Sequence, residues 1–217
     1  MLNQRKTAAE LHCHVPQDYY ERSIRVNPLQ RFWHFQRFAQ IAKICPSVKG
    51  RVLDIGSADG TFSKVIVDKT GAKKLLGIDI NKPSVDYANQ RFKTDKRLHF
   101  RVGDAIALPF GTETFEAVFC LEALEHIYSP LKAIKEMKRV LKKNGYVVLL
   151  VPTDSLLFRI VWSVVLKTWG KHWQDTHVNS FTKDKLLVLL KKVGFLVELN
   201  YTFLWGMLRV VRARKVA

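Results

Sequence analysis

The spacing of apolar residues changes along this chain, and each change marks an element. Between residues 17 and 45, Tyr19, Tyr20, Ile24, Leu29, Phe32, Phe35, Phe38 and Ile41 recur mostly at helical spacing, which predicts one or two helices closed by Pro46 and Gly50. A short apolar run then predicts a strand over 51–55, a helix over about 60–69 and a second strand over 74–79. Pro83 at a first-turn position opens a helix reaching Phe92, and strands follow at 98–102 and 115–120. A helix over 130–143 is predicted to stop at Asn144-Gly145, before the strongly apolar strand 146–151. Thr182 is placed to cap a helix ending at Gly194, and 195–203 with 207–214 read as a closing hairpin. Regular strand–helix alternation gives an α/β fold, with a parallel sheet covered by helices on both faces.

The chemistry concentrates where these strands end. In RVLDIGSADG the apolar strand runs into Asp54 and then into the small residues Gly56, Ser57, Ala58 and Gly60. Such a turn lets backbone amides and a helix N-terminus approach a polar small molecule. The second strand ends in LLGIDI, with Asp79 one βα unit further on, where the ribose-binding acid of a nucleoside cofactor is expected. A third strand ends at Asp104 in FRVGDAIALPF. A carboxylate suits a ribose diol because it carries two acceptor oxygens and no donor. Each acid also has a structural reading as a cap or loop brace, and for Asp54 the two readings stay open.

These segments resemble class I S-adenosylmethionine-dependent methyltransferases, in the broad group related to the ubiquinone and menaquinone methyltransferases. The resemblance runs from about Val52 to Phe195. DIGSADG is similar to the first cofactor motif, GIDI to the second and GDAIALPF to the third. FEAVFCLEALEHI resembles the fourth-strand motif, VLKKNGYVVLLVP the fifth strand, and HVNSFTKDKLLVLLKKVGF the segment before the final hairpin. One departure is Ala58, where the family usually has glycine. The resemblance implies a doubly wound, mostly parallel seven-stranded sheet of Rossmann-like type with the last strand antiparallel. It implies S-adenosyl-L-methionine as cofactor, held by Asp54, Gly56, Ser57, Ala58, Gly60, Asp79, Ile80, Asp104, Ala105 and Leu121. Asp104 would meet the adenine amino group, and the Ala105 amide would meet the ring.

Methyl transfer asks for alignment, exclusion of water and deprotonation of the acceptor. His126 is a candidate general base, with a reference pKa of about 6.5. His177, in an H-x-x-x-F-T pattern, is a second catalytic candidate by resemblance; it also reads as a loop brace. Glu122, Glu125 and His126 form E-x-x-E-H, which resembles the divalent-metal motif of ubiquinone-pathway O-methyltransferases. Because LEH also occurs in methyltransferases that use no metal, the expectation is a metal-free pocket rim, with these three as the alternative ligands. Tyr19, Tyr20, Trp33, His34 and Phe35 would either lid the cofactor or pack on the sheet.

Charge changes the picture at the ends of the chain. The formal net charge is +17, with eight Lys/Arg against three acids in residues 1–50, eleven against eleven in 51–131, and seventeen against five in 132–217. A neutral cofactor half between basic ends suggests an anionic partner, lipid headgroups or nucleic acid, unless the charge serves only solubility. In 156–171, LLFRIVWSVVLKTWGK, the residues Arg159, Ser163, Lys167 and Lys171 make one polar stripe on an apolar helix bearing Trp162 and Trp169. That pattern fits a helix in an anionic membrane interface, or one packed over the sheet or across a dimer seam; it is too short to span. Three cysteines without a CxxC pair favour a reducing compartment, His12-Cys13-His14 lacks zinc spacing, and no signal peptide or transmembrane run is evident.

The expected organisation is an N-terminal helical lid over 1–50 and a cofactor domain over 51–217, with 153–180 as an acceptor-side insertion. The expected activity is methylation, at oxygen or carbon, of a small-molecule or lipid-like acceptor, by a cytoplasmic protein peripheral on the membrane. An RNA methyltransferase is the alternative enzyme, though no Asn/Asp-Pro-Pro-aromatic motif follows strand four. A cofactor-binding protein without activity is the non-enzymatic alternative.

Overall fold

The structure, a computed structural model, describes residues 10, 14–168, 170, 173, 176–182 and 184–216. Cys13, Trp169 and Lys171, which the motif readings used, lie outside the described residues, as does His12. The elements run α1 (Tyr19–Val26), α2 (Pro28–Ile44), β1 (Arg51–Ile55), α3 (Thr61–Thr70), β2 (Lys74–Asp79), α4 (Lys82–Arg91), β3 (Leu98–Val102) and β4 (Phe115–Leu121). After a 3₁₀ turn (Leu124–His126) come α5 (Pro130–Val140), β5 (Leu141–Pro152), α6 (Leu156–Lys167), α7 (Lys185–Val193), β6 (Phe195–Phe203) and β7 (Leu208–Lys215).

The seven strands form one sheet in the order β3-β2-β1-β4-β5-β7-β6. The first five are parallel, and β7 lies between β5 and β6, antiparallel to both. Strand alternation splits the core into two layers. Val52 and Phe119 face a cluster with Ile41, Phe62 and Ile66, whereas Leu53 and Val118 face one with Ile134, Met137 and Leu190. The fold therefore matches the doubly wound sheet implied by the sequence.

Two boundaries differ from expectation. The helix expected over 130–143 ends at Val140, and the chain enters β5 at Leu141. Leu141 pairs with Phe115 and is fully buried, while Ala117 pairs with Tyr146, so residues 142–145 bulge out of the ladder. Asn144 takes φ 61° inside this bulge, so it is a strand irregularity and not a helix stop. The backbone closes tightly at Gly145, where an added Cβ would lie 2.9 Å from the Glu116 and Lys142 carbonyls. Thr182 does not cap α7; Asp184 occupies the N-cap position, with no side-chain cap bond. The preceding residues are tied to the loop after β5, because Ser180 Oγ (2.6 Å) and the Phe181 amide (3.2 Å) both donate to Asp154 Oδ2.

Candidate active site

Two cavities meet at the carboxyl ends of the strands. The first, of 330 Å³, lies over β1, β2 and β3. Gly56, Ala58, Asp79, Ile80, Asp104 and Ala105 line it, with His126 at its far end. The turn that builds it is strained. Gly56 has φ 77°, and a Cβ there would fall 2.4 Å from Ala123 Cβ. Ala58 has φ 44°, the left-handed region where a non-glycine residue costs about 1–2 kcal/mol. That backbone shape explains the family's glycine and shows that alanine reaches it. Holding the turn, the Ala58 amide donates to Asp79 Oδ2 (2.9 Å) and the Asn81 amide to Asp79 Oδ1 (2.8 Å). Asp104 is exposed at the cavity edge and receives the Ile106 amide at 3.0 Å.

Asp54, Ser57, Gly60 and Leu121 do not line this cavity. Asp54 lies beneath the turn and accepts from Ser63 Oγ at 2.6 Å, linking β1 to α3. Burial pushes its carboxyl up to about 7, against the lowering effect of the Ser63 hydroxyl. Sequence reasoning passed over its neighbour Asp59, which is 1% exposed and accepts from the Glu21 amide of α1 (2.8 Å) and the Thr61 amide (3.0 Å). Glu21 in turn accepts from Tyr87 Oη (2.6 Å) and pairs with Arg91 (3.2 Å). The N-terminal helices are thus fastened to the cofactor-side turn.

The second cavity, of 510 Å³, lies between α2, α6 and the loop around Trp173 and His177. It shares Tyr20, Glu122, His126 and Trp173 with the first. Trp33, Phe158, Trp162 and Val165 are among its apolar walls. Trp162 faces inward, stacking on His177 with centroids 4.8 Å apart, and on Phe158 at 5.7 Å. This corrects the expectation that Trp162 marks the outer boundary of a membrane helix. The exposed side of α6 carries Leu156, Ile160 and Val164 beside Arg159, Ser163 and Lys167.

The cavity's polar groups cluster at the junction. Glu122 follows β4 with φ 52°, and its carboxylate pairs with the Arg37 guanidinium, which also contacts His34 Nδ1. Arg37 is 2% exposed, with its guanidinium 4.8 Å from the Phe62 centroid. His34 Nε2 lies 2.9 Å from Ser23 Oγ, and burial followed by the Arg37 charge holds its ring neutral, down at about 2. Beyond this pair, the Val178 and Asn179 amides donate to the Glu125 carbonyl (3.0 and 2.9 Å), docking the His177 loop onto the 3₁₀ turn. His177 and His126 meet with centroids 4.9 Å apart, and His126 Nδ1 lies 2.8 Å from the Thr176 carbonyl. Glu125 is 1% exposed, and its Oε2 has no hydrogen-bond partner. Burial, with a smaller push from Asp154, moves its carboxyl up to about 8.

Glu122 and the Glu125–His126 pair therefore have different partners, although E-x-x-E-H would group them. Donor atoms of Glu125, His126 and His177 all lie within 4.8 Å of one another. Tyr20, one of the aromatics expected to lid the cofactor or pack on the sheet, lines both cavities, whereas Arg37 had no expected role. A signal was present: Arg37 interrupts the helical stripe of His34, Ile41 and Ile44, and a cation on a core face needs a buried partner.

The chain matches the methyltransferase domain family over residues 53–149. It is 27% identical over 170 residues to a demethylmenaquinone methyltransferase of Thermotoga maritima, covering 70% of this chain and 73% of that one. It is 31% identical over 137 residues to a malonyl-[acyl-carrier protein] O-methyltransferase of Marinomonas, covering 63% and 49% of the two chains. The crystal structure of an S-adenosylmethionine-dependent methyltransferase from Mesorhizobium loti superposes with a TM-score of 0.68 at 16% identity, covering 81% and 96%, and so shares the fold. A strand-end cavity with carboxylates at its edge and isoleucines on its sides suits a nucleoside: acceptor oxygens for a diol, apolar surfaces for a ring. The domain match, the relatives and the fold together support a class I S-adenosylmethionine-dependent methyltransferase. Its cofactor is S-adenosyl-L-methionine.

Proposed function

We propose that this enzyme methylates, at oxygen or carbon, an acceptor with a small reactive head and a lipid-like body, drawn from an anionic membrane surface on the cytoplasmic side. One observation carries the reading. The second cavity is walled by aromatic and aliphatic side chains, and residues lining it stay exposed at its mouth: Leu29 at 67%, Ile160 at 54% and Trp205 at 76%. A mouth that stays apolar out to solvent suits a ligand whose tail leaves the protein through it. The helices forming it, α2 and α6, carry Arg31, Lys43, Arg159 and Lys167 and no acid, which complements anionic headgroups at about 1 kcal/mol per cation near such a surface. No described helix is long and apolar enough to cross a membrane. RNA, the alternative acceptor, would bring charged phosphates to a mouth lined by the exposed apolar residues Leu29, Phe32, Ile160 and Trp205.

Bound in the first cavity, the cofactor supplies an electrophilic methyl group on a sulfonium. Asp79 would accept the ribose hydroxyls, and Asp104 with the Ala105 amide would meet the adenine. Gly56 and Ala58 shape the turn around it, Asp54 braces that turn from beneath through Ser63, and Gly60 leads it into α3. Tyr20 and Trp173 shut the junction against water, so the acceptor meets the methyl group without competing solvent. His126 and His177 are the catalytic residues, orienting the acceptor's reacting atom at the junction. The lid 1–50 and the insertion 153–180 supply most of the acceptor wall.

The test is transfer of labelled methyl from the cofactor to a lipid extract presented in anionic vesicles, with RNA and simple phenols in parallel. Label in the organic phase is expected. The double variant Ile160→Glu with Val164→Glu should sediment with anionic vesicles about tenfold less than wild type. Label found only in RNA would overturn the acceptor class.

A further inference from the structure

We propose that Glu125, His126 and His177 form a site for a borderline divalent cation, of the zinc, manganese or cobalt kind, at the floor of the acceptor cavity. The set differs from the one the sequence motif implies, because Arg37 engages Glu122 and His177, remote in sequence, takes its place. This inference rests on the methyltransferase reading of the same junction and gives its two histidines a shared task.

Three features point to a cation. The donor atoms of the three side chains are already mutually within 4.8 Å, and a tetrahedral ion with ligands at about 2.0–2.2 Å needs them roughly 3.3–3.6 Å apart. Second, Glu125 is 1% exposed and keeps a carboxylate oxygen without a hydrogen-bond partner, the kind of buried polar atom that calls for an explanation. A cation would satisfy it. Third, His126 Nδ1 faces the Thr176 carbonyl at 2.8 Å. A proton on Nδ1 makes that contact a hydrogen bond and presents Nε2 as the basic nitrogen, as metal-bound histidines do when the other ring nitrogen donates to a carbonyl.

The donor chemistry selects the ion. Two imidazoles and one carboxylate suit a borderline cation, whereas magnesium and calcium favour all-oxygen shells. Three protein ligands leave open positions, and Glu125, His126 and His177 all line the acceptor cavity. An acceptor hydroxyl, or a pair of neighbouring oxygens, is the ligand those positions would take. Glu122 is the other acid lining this cavity and is neutralised by Arg37, while Asp154, tied to Ser180 and the Phe181 amide, lies near enough for its charge to act on Glu125.

The experiment is cation binding to the full chain after chelator dialysis. Zinc, manganese and magnesium are titrated by calorimetry, and cobalt by its visible d–d absorption. One cobalt or zinc per chain is expected, with magnesium at least tenfold weaker. Glu125→Gln and His177→Ala should each weaken zinc at least tenfold, in the range that losing ligand support commonly costs, whereas Glu122→Gln stays within threefold of wild type. S-adenosylhomocysteine binding and a melting curve on each variant establish that it is folded, and His177→Asn replaces any alanine variant that is not. Absence of one-to-one binding overturns the site. So does loss in Glu122→Gln with retention in His177→Ala, or loss in the double variant His12→Ala with His14→Ala. Binding is read without acceptor, so its failure leaves the acceptor class standing. Failure of lipid labelling with cation binding intact does the reverse.

Discussion

The two cavities share four residues yet are built in opposite ways. The cofactor cavity comes from three consecutive strand ends, and its geometry is fixed by backbone amides, as where Ala58 and Asn81 donate to Asp79. The acceptor cavity gathers side chains from α1, α2, the turn after β4 and α6, with Trp173 and His177, and it is held by long-range contacts such as Arg37 with Glu122. The first is a local motif repeated along a sheet. The second depends on side chains that are far apart in sequence.

This contrast can be broken from either side. On the cofactor side, Asp79→Ala removes an acceptor for the ribose and also frees the Ala58 and Asn81 amides. At about 1.5–3 kcal/mol per charge-assisted hydrogen bond, S-adenosylhomocysteine affinity should fall by two orders of magnitude or more. Calorimetry measures it, and unchanged affinity in folded protein would remove Asp79 from the cofactor site. On the acceptor side, Arg37→Met leaves the Glu122 carboxylate without its partner. Breaking a buried pair costs about 3–5 kcal/mol, and the lower end applies because Glu122 keeps 17% exposure. Urea unfolding should show that loss, and adding Glu122→Gln should recover most of it; if the single variant is as stable as wild type, the pair does not hold α2.

A smaller effect sharpens the comparison within the cofactor half. With Asp54 held at about 7, the folded protein keeps a proton that the unfolded chain releases from its ordinary value of 3.8 upward. The unfolded state then binds fewer protons, so stability falls as pH rises through about 4 to 7. Asp54→Asn should remove its share of that slope, on the order of 2 kcal/mol between pH 5 and pH 8 as read by urea midpoints, and leave the share of Glu125, whose buried carboxyl is also raised. A slope equal to wild type would place the pH dependence elsewhere.

The same contrast explains what could be read from the sequence. Strand ends followed by acids one βα unit apart are local, so Asp79, Asp104 and the Gly56–Ala58 turn could be located by spacing alone. The sheet and most helix limits were equally legible from periodicity. The helix stop at Asn144-Gly145 misled because a bulge and a helix end use the same residues. On α6, periodicity separated polar from apolar positions but could not tell an inward tryptophan from an outward one, since that depends on His177 arriving to stack against Trp162. The pairing of Arg37 with Glu122 joins residues distant in sequence, and only the buried stripe around Arg37 hinted at it.

The domain match ends at residue 149, three short of the end of β5, and begins at 53, after α2. Every segment that walls the acceptor cavity, except the turn after β4, therefore lies outside it. The loop bearing His177 is docked through main-chain amides on the Glu125 carbonyl, a linkage indifferent to the side chains it carries. Such an architecture lets mutation rewrite what is methylated while the machinery that delivers the methyl group is inherited unchanged. Its lineage can change customers without retooling, and divergence among relatives should be steepest in α1, α2 and α6.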